Sequence, residues 1–151
     1  MAIRNIIQVG DETLRKKSFE VTDFGEKTHE LLDDMKDTLI KANGAGLAAV
    51  QVGVLRRIFV VAVDDAYYEC INPVIIKESG KQLGQEGCLS VKNKYGTVER
   101  PMKVILKAFD RYGKPFTVHA SGFLARAICH EYDHLNGTLY IDKASEVMEE
   151  N

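Results

Sequence analysis

Gly122 to Gly137 reads GFLARAICHEYDHLNG, and within it His130-Glu131-Tyr132-Asp133-His134 places two histidines four residues apart with a glutamate next to the first. Ser121 can cap a helix at the start of this stretch, and Asn136-Gly137 closes it. On a helix, residues i and i+4 stand one above the other, about 40° apart around the axis. Both imidazoles can therefore reach one metal ion. Glu131 can touch water at that ion without being obliged to bind the ion itself. Hydrolysis needs this arrangement, because a metal acidifies water while a carboxylate takes the proton and later hands it to the leaving amine. Only four histidines occur in 151 residues. Two of them in this short window, with Glu131 between them, argue for a site over a surface helix that happens to carry histidines.

A catalytic metal site commonly has three protein ligands and one open position. Cys88 is the best candidate for the third. It lies in Gln85-Glu86-Gly87-Cys88-Leu89-Ser90, where Gly87 permits close backbone approach and the thiol falls outside any apolar strand pattern. Cys70, in an apolar run, and Cys129, about 100° around the helix from His130, read as small buried hydrophobes. Three widely spaced cysteines do not make a disulfide framework. A further stretch, Gly44-Ala45-Gly46-Leu47-Ala48-Ala49-Val50-Gln51, lacks the spacing and the lysine of a phosphate loop. Alone it reads equally as a helix stop followed by a packed loop. Gln51 ends it with an uncharged donor, suited to steadying an oxyanion without competing for a metal.

The rest of the pattern points to an α+β fold, with mixed or antiparallel sheets packed around a central metal-binding helix. Asp11 to Arg15 predicts a capped helical turn. Lys27 to Ala42, with Leu31, Met35 and Leu39 on one stripe, predicts an amphipathic helix ended by Asn43-Gly44, where Gly44 tolerates the left-handed conformation. Arg57 to Val63 and Cys70 to Lys77 predict strands, the second with an edge or bulge at Pro73. Met102 to Phe109 and Phe116 to Val118 predict a hairpin across the turn Asp110 to Lys114. No repeat or linker divides the chain, so one catalytic domain over 1–151 is expected. Composition is that of an ordinary globular protein, 45% hydrophobic and 28% charged, and a net charge of −2 gives no reason to expect DNA or an anionic membrane as partner. Met1 to Gln8 lacks the apolar core of a signal peptide and no run is long enough to span a bilayer, so a cytoplasmic location is expected.

Together, GAGLAAVQ at Gly44 to Gln51, EGCLS at Glu86 to Ser90 and HEYDHLNG at His130 to Gly137 resemble the three motifs of the peptide deformylases, in the right order and over essentially the whole chain. The resemblance implies removal of the N-formyl group from nascent polypeptides that begin with formyl-methionine, releasing formate. It implies Cys88, His130 and His134 as metal ligands and Glu131 as general base and then general acid. It implies Gln51 and the backbone N–H of Leu89 as oxyanion donors. Gly44, Ala45, Gly46 and Gly87 would flank a substrate peptide added like an extra strand, with Arg126 and Ala127 at the methionine pocket. Glu86 and Arg100 would pair behind the cysteine, and Asp133 would orient a ligand or the helix. The implied cofactor is one divalent metal, Fe(II) in vivo, with zinc, nickel or cobalt able to substitute. The implied partners are an N-formylmethionyl nascent peptide and, transiently, the ribosome, with the protein a monomer.

Departures from the family's pattern stand out. Arg126, four residues before His130, shares its stripe with both ligands where relatives are mostly apolar, and is expected at the pocket rim with its stem packed and its head in water. Lys92 stands where relatives often have proline, which predicts a looser loop. After Gly137 the chain is too short and too acidic to copy the long C-terminal helix of many bacterial members. Two other readings compete. An HExxH zinc endoprotease would need a third ligand downstream, from Glu146, Glu149 or Glu150. A non-catalytic metal-binding homologue would have no use for Glu131 beside its ligands.

Overall fold

The computed structural model describes residues 2–150. Asp11 caps the turn Glu12–Arg15 by accepting from the Thr13 N–H, as its position predicts. Helix α1, Glu26–Ala42, buries Leu31, Leu32, Met35 and Leu39 against Leu47, Val60 and Ile71. Burying each such side chain contributes about 1.5–3 kcal/mol. The helix ends on Asn43, whose φ of 55° is left-handed. The cap is therefore the asparagine and not Gly44, since a short polar side chain also tolerates that conformation.

Eight strands follow: β1 Gly46–Ala48, β2 Ile58–Val63, β3 Ala66–Ser79, β4 Gln82–Cys88, β5 Val91–Arg100, β6 Lys103–Phe109, β7 Pro115–Ser121 and β8 Glu146–Glu149. Helix α2, Gly122–His134, lies between β7 and β8 in the chain. Every ladder between these strands is antiparallel. One sheet has the order β1-β2-β3-β6-β7 and the other β4-β5-β8. The architecture is the expected α+β. Pro73 falls in a register shift between Ile71 and Val74, a bulge as its missing N–H predicts.

The α2 helix serves both sheets. Ala125, Ile128 and Leu135 join Val61, Leu106 and Val118 in the core beneath the five-stranded sheet. Its other flank meets β5 and a smaller core of Val91, Val98, Leu139 and Tyr140. Ser121 occupies the cap position, but its side chain makes no capping bond. Instead the Gly122 N–H donates to the Met102 carbonyl at 2.9 Å. The histidines are thus fixed by packing on one sheet and face the other.

The β4–β5 hairpin and β1 were not visible in the pattern. The buried strand positions of the hairpin are Glu86, Val91, Gly96, Val98 and Arg100, so three of the five carry no apolar signal. Lys92 is part of β5 and not of a loose loop.

Candidate metal centre

Cys88 ends β4, and Leu89-Ser90 turns the chain into β5. The thiol meets the α2 histidines, so that one ligand atom from each of Cys88, His130 and His134 lies within 4.8 Å of the others. Cys88 Sγ is 3.4 Å from His134 Nε2. His130 donates its Nδ1–H to Glu86 Oε1 at 2.8 Å, which leaves Nε2 as the nitrogen that can bind an ion once it gives up its own proton. Glu86 is itself held by Arg100, whose Nε and Nη2 donate at 2.8 and 2.9 Å. Arg100 Nη1 donates to Asp133 at 2.7 Å, so Asp133 braces Arg100 and not a histidine directly.

These residues fit a divalent ion. Burial disfavours a charged His130, yet the adjacent Cys88 and Glu86 outweigh it and hold its pKa well above the usual value. Burial, then His130 and Arg100, push His134 well below it, so that imidazole is neutral. Positive charge is thus favoured at His130, beside Glu86 and the thiol, while His134 offers a neutral imidazole next to the same thiol. The Nδ1 of His134 and Oε1 of Glu131 are buried and make no hydrogen bond within the protein. One thiolate and two imidazoles suit iron or zinc. Cys129 stands outside the cluster, its thiol pushed by burial up to about 12. Among the described residues no downstream glutamate joins the metal group. Glu146 and Glu149 belong to β8, which removes the ligand an endoprotease would require.

A cleft of about 990 Å³ opens over this cluster. Ala45 and Gly46 line one wall and Gly87 the other. They sit at or beside β1 and β4, each the outermost strand of its sheet. Glu131 lies against β1: a Cβ on Gly46 would stand 2.6 Å from its Oε2. Burial pushes the Glu131 carboxyl up to about 7, with the charge of Glu86 adding to burial and His130 opposing it. Gln51 is aimed by its own carbonyl, as Oε1 accepts the Ala48 N–H at 2.9 Å. Its Nε2 then donates to Ser90 Oγ at 3.0 Å and lies 3.6 Å from Cys88 Sγ. Gly44 lets Leu89 pack closely, since a Cβ there would stand 2.9 Å from Leu89 Cδ1. Ala127 also lines the cleft.

Arg126 departs from expectation. Its head is not in water at the rim but buried, 5% exposed, donating from Nη1 to Glu86 Oε2 at 2.6 Å. Two helpers carried no sequence signal of their own. Ser90 is the buried acceptor for Gln51, and Tyr140 stacks on His130 with ring centroids 6.0 Å apart.

A buried carboxylate beside a cysteine–histidine–histidine cluster, at the floor of a cleft between two sheet edges, defines a metal-dependent hydrolase. The polypeptide deformylase family model matches residues 3–150. The peptide deformylase of Caldicellulosiruptor bescii is 51% identical over 150 residues, covering 99% of this chain and 90% of that one. Peptide deformylase 1 of Clostridium acetobutylicum is 48% identical, covering 97% of each. The crystal structure of the Legionella pneumophila peptide deformylase superposes with a TM-score of 0.92 at 44% identity, covering 95% of this chain and 87% of that one. The Ehrlichia chaffeensis enzyme in complex with actinonin gives 0.94 at 37%, covering 97% and 91%. The chain belongs to the polypeptide deformylase family.

Proposed function

We propose that this deformylase removes the formyl group from formyl-methionyl nascent peptides, with Cys88, His130 and His134 holding its metal. The observation that carries the reading is the position of Glu131, buried against Gly46 and beside three converging ligand atoms. A bound ion supplies Lewis acidity, which acidifies water and polarises the formyl carbonyl. The chain's own groups do the remainder. An extended peptide lies between β1 and β4, where Ala45, Gly46 and Gly87 admit its backbone. The methionine side chain enters the cleft near Ala127. Glu131 accepts the proton of the attacking water and returns it to the leaving nitrogen as the C–N bond breaks. Gln51 Nε2 and the Leu89 N–H stabilise the charge that gathers on the formyl oxygen. Formate and a free amino terminus result.

The same reading takes residues 1–151 as one catalytic domain, ferrous iron as the native metal, and a cytoplasmic monomer that meets nascent chains at the ribosome. No helix among the described residues is long and apolar enough to cross a membrane. The test is formate release from formyl-Met-Ala-Ser on an anaerobic preparation whose metal content is measured in parallel. Fully loaded protein that releases no formate overturns the reading, as does cleavage of an unformylated protein substrate.

A further inference from the structure

Arg126 stands on α2, but its hydrogen bonds go to the other sheet. Besides Glu86, Nη1 donates to the Val98 carbonyl at 3.1 Å and the Gly84 carbonyl at 3.4 Å. One guanidinium from the helix that bears His130 and His134 thus touches both β4 and β5, and β4 ends on Cys88. Glu86 accepts four N–H groups: two from Arg100, one from Arg126 and one from His130. Arg100 is shared with Asp133. Asp133 also pairs with the half-exposed Lys143 at 3.0 Å, whereas Arg126 adds a second buried guanidinium to Glu86.

The geometry points to Arg126 as a positioning residue for the metal centre: by clamping Glu86 and the β4–β5 backbone from α2, it sets where Cys88 stands relative to His130 and His134. We assign it no part in reading the substrate's first side chain: although Arg126 lines the cleft, its head is buried, with Nη1 committed to Glu86 and two backbone carbonyls and Nη2 without a hydrogen-bond partner among the described residues. A carboxylate without Arg126 would keep the His130 bond but lose its tie to the helix through the guanidinium. Of these charged ties, His130–Glu86 and Arg100–Asp133 would then hold the hairpin to the helix without the Arg126 clamp, and the three ligand atoms sit on opposite sides of that loosened seam. The inference rests on the ligand assignment proposed above. One zinc per chain in the parent, absent from Cys88→Ala, tests that assignment separately.

Zinc-loaded protein is mixed with excess chelator and the rate of zinc transfer is followed, alongside thermal unfolding. In Arg126→Met, zinc release should be about 10- to 100-fold faster, the usual consequence of removing a group that orients a ligand. Arg126→Lys should fall between, since an ammonium can reach Glu86 but cannot serve three acceptors in fixed directions. Gly84→Ala leaves Arg126 in place, but its Cβ would stand 2.9 Å from Nη2, 3.1 Å from Cζ and 3.3 Å from Nε. It should also speed release, by less. In the cobalt-loaded protein the thiolate absorption bands should move in Arg126→Met. Relative kcat/KM across formyl-methionine, formyl-norleucine and formyl-leucine peptides should stay as in the parent at full loading. Parent-like zinc release in folded Arg126→Met or in Gly84→Ala overturns the inference, whether or not the melting temperature falls. So does a changed substrate ranking at an unchanged release rate, which would make Arg126 a pocket residue. Should Arg126→Met fail to fold, the release rates of Arg126→Lys and Gly84→Ala decide the question in the same way.

Discussion

Gly46→Ala is the sharpest probe of the carboxylate proposed to be catalytic, Glu131. The added Cβ would stand 2.6 Å from Glu131 Oε2 and 2.9 Å from both Cδ and Cγ, where ordinary contact begins at 3.4 Å. Gly46 is not among the residues at positive φ, so the backbone accepts alanine without strain. The whole cost therefore falls on Glu131, which must retreat by about 0.8 Å; in the proton-transfer role proposed for it, a displacement of that size costs about 10²-fold in rate. Alanine also restricts the unfolded chain, a gain of about 0.4–1 kcal/mol that offsets part of the crowding. The expected variant is folded, fully metallated and about 100-fold slower in kcat. Formate release against formyl-Met-Ala-Ser concentration, metal stoichiometry and a melting curve on one preparation check this. A kcat near the parent's, or an effect confined to KM, would refute the reasoning, because Gly46 would then act only by admitting the substrate backbone.

Glu131→Gln should keep its metal and lose about 10²-fold or more in turnover, read by the same formate assay. For Gln51→Ala, kcat should fall by about 10²- to 10³-fold with metal retained, since the Nε2 donor beside Cys88 is removed; a purely structural role would lower the urea midpoint and leave kcat alone. Gly137→Ala should act on stability. Its φ is +77°, and a Cβ would stand 2.7 Å from the Arg15 carbonyl carbon and closer still to the oxygen. A loss of about 2 kcal/mol or more is expected in urea unfolding, with turnover of the folded protein kept.

Legibility in the sequence followed the kind of signal each element carries. The α1 stripe, the β6–β7 hairpin and the bulge at Pro73 could be read because apolar period, turn residues and a missing N–H are local properties. The β4–β5 hairpin could not. Its inward face holds Glu86, Gly96 and Arg100 where a strand pattern expects apolar residues, so the positions that matter most to the site erase the alternation that would reveal it. Arg126 failed for a related reason. A charged residue on a helix stripe is expected in water, and nothing nearby in the chain shows that Glu86, forty residues away, waits for it across a sheet.

By itself, the sequence determined the donor set and the family: two imidazoles one helical turn apart, a glutamate beside them, and a cysteine in a motif that pointed to this family. Helical spacing guarantees that His130 and His134 share a face whatever surrounds them. Tertiary structure alone decided how Cys88 meets that face. The thiol and the imidazoles stand on opposite sides of a helix–sheet seam, and the side chains that close it, Glu86, Arg100 and Arg126, pair across long stretches of chain. Charge pairing at that range depends on packing, which no local pattern encodes.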